Sequence, residues 1–100
     1  MDWTGIRFQT RVGTGQLWSL PTRLFFIELA AGTHPQQAFI YDHTRYPQNL
    51  VTQLNATAEA KSEKWPPLDG VTVPIERGVY VSYSHVPVGL SGPVTMGFAP

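Results

Sequence analysis

The chain of 100 residues is long enough for one domain with a hydrophobic core, since 42% of its residues are hydrophobic and only 14% are charged. A formal net charge of zero provides no electrostatic attraction for nucleic acid or an anionic membrane, so we expect neither as a partner. The lack of cysteine excludes disulfides and thiolate metal sites, and we expect no cofactor.

The N-terminal part of the chain predicts a β-hairpin. Residues 6–12 alternate between apolar and polar side chains, which indicates a half-solvated strand. Its polar face carries Arg7, Gln9 and Arg11. Gly13-Thr14-Gly15 then supplies the positive φ angles of a hairpin turn, and residues 16–20 predict the returning strand.

Residues 24–31 form the most apolar window and predict a central strand buried on nearly both faces. A helix is the competing interpretation, because Leu, Glu and Ala favour helices. The strand is preferred because the run is short, has no N-cap residue and stops at Gly32.

Five further strands are predicted in the rest of the chain. They lie at residues 37–42, 49–55, 71–75, 79–84 and 94–98. Pro74 confines its strand to the edge of a sheet, and Val94, Met96 and Phe98 point inward. The resulting eight strands, separated by turn signals, predict an all-β fold: an antiparallel β-sandwich that resembles a jelly roll.

The whole chain, residues 1–100, is predicted to be a single β-sandwich domain. Residues 1–5 form an N-terminal arm, and residues 56–70 form a polar and then Pro-rich connection, either exposed or in a short helical turn. No apolar run approaches eighteen residues and Met1 does not begin a signal peptide, so we expect synthesis in the cytoplasm.

No residue pattern in the sequence predicts a particular enzymatic reaction. His34, His43, His85 and Asp42 are the candidates for a metal site, but no two histidines have ligand spacing on one element. Loop histidines, and an aspartate that closes a turn through local backbone hydrogen bonds, explain them more simply.

Other catalytic arrangements find equally little support. Ser82 and Ser84 lack a nucleophile elbow and fit the surface of a strand. Glu28 and Asp42 are not paired in sequence as glycosidase carboxylates would be.

The aromatic residues suggest contact surfaces instead. Some could form a carbohydrate-stacking platform, although packing in the core or in an interface explains most of them. For contacts with a partner the sequence points to Trp3, Tyr46, Trp65, Met96 and Phe98, with ordinary closure of the core as the alternative.

Three motifs, in this order, resemble those of small virion proteins of tailed bacteriophages. They are Gly13-Thr14-Gly15-Gln16-Leu17, Ile40-Tyr41-Asp42-His43-Thr44 and Gly78-Val79-Tyr80-Val81. The resemblance covers residues 11–98 and ends in a short closing strand. The Pro-rich Trp65-Pro66-Pro67 segment departs from the pattern.

The resemblance implies a non-enzymatic capsid decoration or cement protein that stabilises the head shell of the virion. Such a protein would be a homotrimer made in the host cytoplasm and bound to the major capsid protein or other virion proteins. The alternatives are a carbohydrate-binding module, a minor tail or head–tail component, and a small jelly-roll enzyme with a histidine metal site.

Overall fold

The computed structural model describes residues 6–30, 36–56, 63–66, 71–83 and 92–99, which contain nine β-strands. They are β1 (Arg7–Arg11), β2 (Gly15–Trp18), β3 (Thr22–Leu29), β4 (Gln36–Asp42), β5 (Leu50–Ala56), β6 (Glu63–Trp65), β7 (Val73–Ile75), β8 (Val79–Tyr83) and β9 (Val94–Ala99). Within these ranges there is no helix long and apolar enough to cross a membrane.

The strands form two antiparallel sheets. One has the order β1-β9-β3-β6, with β7 also paired to β3, and the other has the order β2-β8-β4-β5. β7 pairs with Thr22–Leu24 and β6 with Ile27–Leu29, so the two short strands together occupy the place of one. Counted in this way, the strand order is that of an eight-stranded jelly roll. The predicted β-sandwich is confirmed.

The core lies between the sheets and consists mostly of aliphatic side chains from both, together with Phe98. Leu24, Ile27 and Leu29 from β3 are fully buried, as are Met96 and Phe98 from β9. Burial of a side chain of this size contributes about 1.5–3 kcal/mol to the free energy of unfolding. The predicted inward direction of alternate residues on the closing strand is therefore confirmed.

A β-bulge in β3 changes which residues face the core. Leu24 pairs with Phe98 and Phe26 pairs with Gly97, so the extra residue Phe25 shifts the alternation by one position. Ile27 is consequently buried, while Phe26 lies on the outer face of the sheet. β3 is central, as predicted, but only one of its faces is fully buried.

The orientation of β1 differs from the prediction that its polar face points to solvent. Its polar residues pair with the core residues of β9: Arg7 with Phe98, Gln9 with Met96 and Arg11 with Val94. Directly paired residues lie on the same side of a sheet, so the polar side faces the interior and Phe8 points outward. This arrangement is possible because β1 is an edge strand, where side chains reach water around the open side of the sandwich.

The predicted connection at residues 56–70 contains a strand, β6. Residues 56–70 were expected to contain no strand, but Ala56 still belongs to β5 and Glu63–Trp65 pairs with the end of β3. Pro66, which directly follows β6, lacks the N–H that would extend the ladder. The predicted edge position of the strand that contains Pro74 is confirmed, since β7 lies outside β3.

Candidate functional surfaces

Arg11 stabilises the turn between β1 and β2. Its guanidinium donates hydrogen bonds to the carbonyl oxygens of Gly13 (3.1 Å), Thr14 (2.8 Å) and Gln16 (3.2 Å). The side chain covers Gly15, where a Cβ atom would overlap it. Gly13 and Gly15 have φ angles of 90° and 152°, a region that favours glycine. The two glycines do have the predicted positive φ angles, but the predicted β-hairpin is wrong. β1 pairs with β9 in one sheet and β2 pairs with β8 in the other, so this turn carries the chain from one sheet to the other.

Tyr83 joins the same turn to the start of β9. Its Oη lies 3.0 Å from the carbonyl oxygen of Gly92 and 3.2 Å from that of Arg11, and its backbone N–H donates to Thr14 Oγ1 (3.0 Å). Burial raises the pKa of Tyr83 to about 12, against the smaller lowering effects of the Val94 backbone and the Arg11 charge. Its neutral phenol is thus a structural link between three segments of the chain.

Asp42, at the end of β4, fixes the turn between β7 and β8. Oδ2 accepts a hydrogen bond from the N–H of Glu76 (3.0 Å), and Oδ1 accepts from the N–H groups of Arg77 (2.9 Å) and Gly78 (3.4 Å). The sequence predicted that Asp42 would close a turn locally. The carboxylate instead closes a turn that follows much later in the chain.

His43 orders the loop in which it lies. Its Nδ1 accepts hydrogen bonds from the N–H groups of Arg45 (3.0 Å) and Tyr46 (3.1 Å). The other two candidate ligands, His34 and His85, lie outside the described residues. Within the described ranges, no three His, Asp or Glu side chains are close enough together to hold a metal ion.

The remaining catalytic candidates are spread over the two sheets. Glu28 lies on β3 of the five-stranded sheet, whereas Asp42 lies at the end of β4 in the four-stranded sheet. Ser82 is on the outer face of β8, and Ser84 lies outside the described residues. The structure therefore does not bring Glu28 and Asp42 together.

The predicted contact residues that the structure describes do not share a surface. Tyr46 is 56% exposed, Trp65 is half-buried against the core, and Trp3 is outside the described residues. Met96 and Phe98 are completely buried by the chain itself, so they offer no surface to a partner. For these two residues, closure of the core accounts for the apolar side chains.

The outer face of the five-stranded sheet presents an apolar strip made of Phe8 and Phe26, beside the polar pair Thr10 and Thr95. Phe8 is 62% exposed, and its ring centre lies 6.0 Å from that of Phe26. Phe26 covers Gly97, which separates the two phenylalanines in the sheet, and Val12 is exposed beyond the end of β1. The Lys64 ammonium lies 5.0 Å from the Phe26 ring centre and borders the strip.

The outer face of the four-stranded sheet is different, because the side chains that the structure describes there include no Asp, Glu, Lys, Arg or His. This neutral face consists of Gln16, Gln37, Phe39, Tyr41, Leu50, Gln53, Asn55, Tyr80 and Ser82. The rings of Tyr41 and Tyr80 are adjacent, with centres 6.5 Å apart and planes at 57°. Gln53 Nε2 donates to Asn55 Oδ1 (3.2 Å).

No family model, no curated protein and no solved structure matches this chain. The strand order and the two outer faces are therefore the features of the described residues that bear on function. Sequence reasoning missed both as surfaces, although the alternation of Gln37, Phe39 and Tyr41 with buried residues already pointed to one of them. The sequence alone does not show the strand pairing that places Tyr80 and Gln53 beside Gln37, Phe39 and Tyr41.

Proposed function

We propose that this protein is a non-enzymatic structural component of a tailed-phage virion, a decoration or cement protein that binds the head shell as a homotrimer. The observation that carries the proposal is the jelly-roll strand order, which is also an architecture of viral capsid proteins. This link is an analogy between folds. The resemblance of the sequence motifs to small virion proteins supports the same function.

The apolar strip supports assembly with other protein subunits. Phe8 exposes 62% of its surface beside Phe26, and exposed aromatic groups of this kind mark protein contacts more often than ordinary surface. The zero net charge of the chain adds no long-range repulsion between copies.

The core-side arginines of β1 favour a contact through the sheet face. Arg7 and Arg11 point toward the interior side of an edge strand, and inward-pointing charges discourage strand-to-strand pairing at such an edge. The partner would therefore cover the outward-facing Phe8. In this proposal the partner is a second copy of the chain or the shell protein.

Light scattering coupled to size-exclusion chromatography tests the assembly. We expect a mass of three times the 11.1 kDa of one chain. We expect Phe8→Ser to shift the protein toward monomers, because it removes the most exposed large apolar side chain among the described residues. Leu20→Ser is the matched control, since Leu20 is 58% exposed but lies in the connection from β2 to β3.

A monomer at all concentrations, with full thermal stability, would contradict the proposed assembly. Dissociation by Leu20→Ser but not by Phe8→Ser would remove the argument based on the apolar strip. Circular dichroism of both variants checks that each remains folded.

A further inference from the structure

We infer that the neutral face of the four-stranded sheet binds an uncharged oligosaccharide. This inference goes beyond the proposed function and does not depend on it, because the apolar strip lies on the opposite sheet. It rests on the charge, the chemistry and the geometry of the nine side chains of this face.

The electrostatics of the neutral face select an uncharged ligand. Among the described residues, no side chain of the face is acidic or basic, and three charged side chains at its borders bond to the backbone. Arg11 donates to the carbonyl of Gln16, the Asp42 carboxylate accepts from the turn before β8, and Glu63 accepts from the N–H of Asn55 (3.3 Å). The described side chains of the face therefore offer no charged group to pair with a phosphate, a sulfated sugar or a nucleic acid.

The chemistry of the neutral face matches that of a sugar. Gln16, Gln37 and Gln53 are exposed, and each primary amide offers two donors and one carbonyl acceptor, which suits hydroxyl groups that both donate and accept. The rings of Tyr41 and Tyr80 lie in one row with Gln16, next to the row that contains Phe39 and Gln53. The faces of these two rings can pack against the C–H groups of a pyranose. A few placed polar groups around an aromatic surface are typical of small-ligand sites.

A protein partner fits this face less well than a sugar does. Protein interfaces depend on large apolar or aromatic anchors that become fully buried at their centre. Here the aromatic side chains at the centre are already half-buried, whereas the exposed side chains are mainly amides. The exposed Leu50 lies at the margin of the sheet, on edge strand β5.

The ring geometry narrows the class of sugar. The planes of Tyr41 and Tyr80 are inclined by 57°, so a flat crystalline polysaccharide could not lie against both rings. A soluble oligosaccharide whose successive units are rotated relative to one another can contact both. The ligand class is therefore a short, uncharged, non-crystalline glycan chain.

The test uses the full chain and a glycan array that contains neutral cello-, malto-, xylo- and manno-oligosaccharides beside heparin-derived fragments. Isothermal titration then measures the Kd of the best neutral binder. We expect saturable binding to at least one neutral series and none to heparin fragments. Binding to heparin alone, or to no glycan at millimolar concentration, would overturn the inference.

Three variants locate the site. Tyr41→Ala should raise the Kd about tenfold by removing a stacking ring, and Gln53→Ala about three- to tenfold by removing amide hydrogen bonds. Tyr46→Ala is the matched control, since Tyr46 is an exposed tyrosine in the loop after β4, outside the neutral face. It should leave the Kd unchanged.

Because Gln53 is exposed, we expect Gln53→Ala to fold even if Tyr41→Ala does not. The site can then still be tested with Gln53→Ala. Unchanged affinity in Gln53→Ala, or a loss of affinity in Tyr46→Ala instead, would place the sugar elsewhere and overturn the inference. The Phe8→Ser variant separates the two proposals. It should change the assembly state and leave the Kd for the glycan unaltered.

Discussion

At the scale of single residues, two polar side chains join segments that are far apart in the sequence. The Asp42 carboxylate accepts three backbone hydrogen bonds from residues 76–78, and Tyr83 bridges the β1–β2 turn and the start of β9. These contacts fix the two ends of the sandwich. Their loss should therefore affect stability more than an ordinary surface substitution does.

Asp42→Asn should lower the free energy of unfolding by about 1–3 kcal/mol. The amide has the size of the carboxylate, but one of its two acceptor positions becomes a donor, which faces either the N–H of Glu76 or the N–H groups of Arg77 and Gly78. Urea denaturation followed by circular dichroism measures the change.

Glu76→Gln is the control for Asp42→Asn, since it removes a charge from the same turn while only the backbone of Glu76 bonds to Asp42. We expect it to stay within about 0.5 kcal/mol of the wild type. Equal effects of the two substitutions would mean that charge, and not the hydrogen bonds of the turn, determines the stability.

Tyr83 should make the protein sensitive to alkaline pH. Burial raises its pKa from 10.0 to about 12 in the folded chain, so the unfolded chain loses the phenolic proton first. The stability due to the neutral phenol is complete below pH 10 and is lost as the pH rises toward 12. Urea midpoints of the wild type between pH 8 and pH 12 should therefore fall more steeply than those of Tyr83→Phe.

The exposed Tyr46 provides the control for the alkaline titration, since Tyr46→Phe should keep the wild-type slope. At neutral pH, Tyr83→Phe should also cost about 1 kcal/mol because the contacts of Oη with the carbonyls of Gly92 and Arg11 are lost. Parallel pH profiles of the wild type and Tyr83→Phe would refute this account of Tyr83.

At the scale of elements, the bulge in β3 and the glycine opposite it form one unit. Phe26 lies over Gly97, and a Cβ at position 97 would overlap its ring. Gly97→Val should therefore destabilise the fold by about 1–3 kcal/mol through overpacking. Equilibrium unfolding measures the loss.

A double-mutant cycle tests whether the overlap with the Phe26 ring is the cause. Combining Gly97→Val with Phe26→Ala should cost less than the sum of the two single changes, because the smaller side chain makes room for valine. Additive effects would show that the destabilisation arises elsewhere in β9.

The sequence predicted most strands because their signals are local. Alternation, turn glycines and prolines located β1, β2, β4, β5 and β7 to within a few residues. β6 was missed because Glu63 and Lys64 resemble a solvated connection, and this short strand forms only by pairing with β3. The bulge was missed because Phe25 and Phe26 are both apolar, so the pattern does not reveal which one faces outward.

The surfaces were less predictable than the strands, because each depends on pairing between distant segments. Alternation along β1 correctly separated Arg7 from Phe8, but the direction of each face followed from the partner strand β9. Met96 and Phe98 were candidates for contact and proved to be core. The sequence gives no signal for the proximity of Tyr41 and Tyr80, which are far apart along the chain.

At the scale of the whole molecule, the two outer faces differ in chemistry. One presents the apolar strip, and the other presents amides and phenols without an acidic or basic side chain. A sandwich with this division can attach to protein through one sheet and leave the other free for a small ligand. Assembly through the apolar strip and glycan binding by the neutral face can therefore occur in the same molecule.

The position of β9 between β1 and β3 has a consequence for biosynthesis. Until the ribosome has synthesised β9, β1 has no partner strand in its sheet. The core-facing side of β3 also lacks the strand with which β3 forms its longest pairing. Pairing between strands so far apart in sequence is slow and leaves apolar surface exposed until β9 has been synthesised. Folding of this sheet should therefore follow the synthesis of β9, and chaperones that bind emerging chains should raise the yield of folded protein.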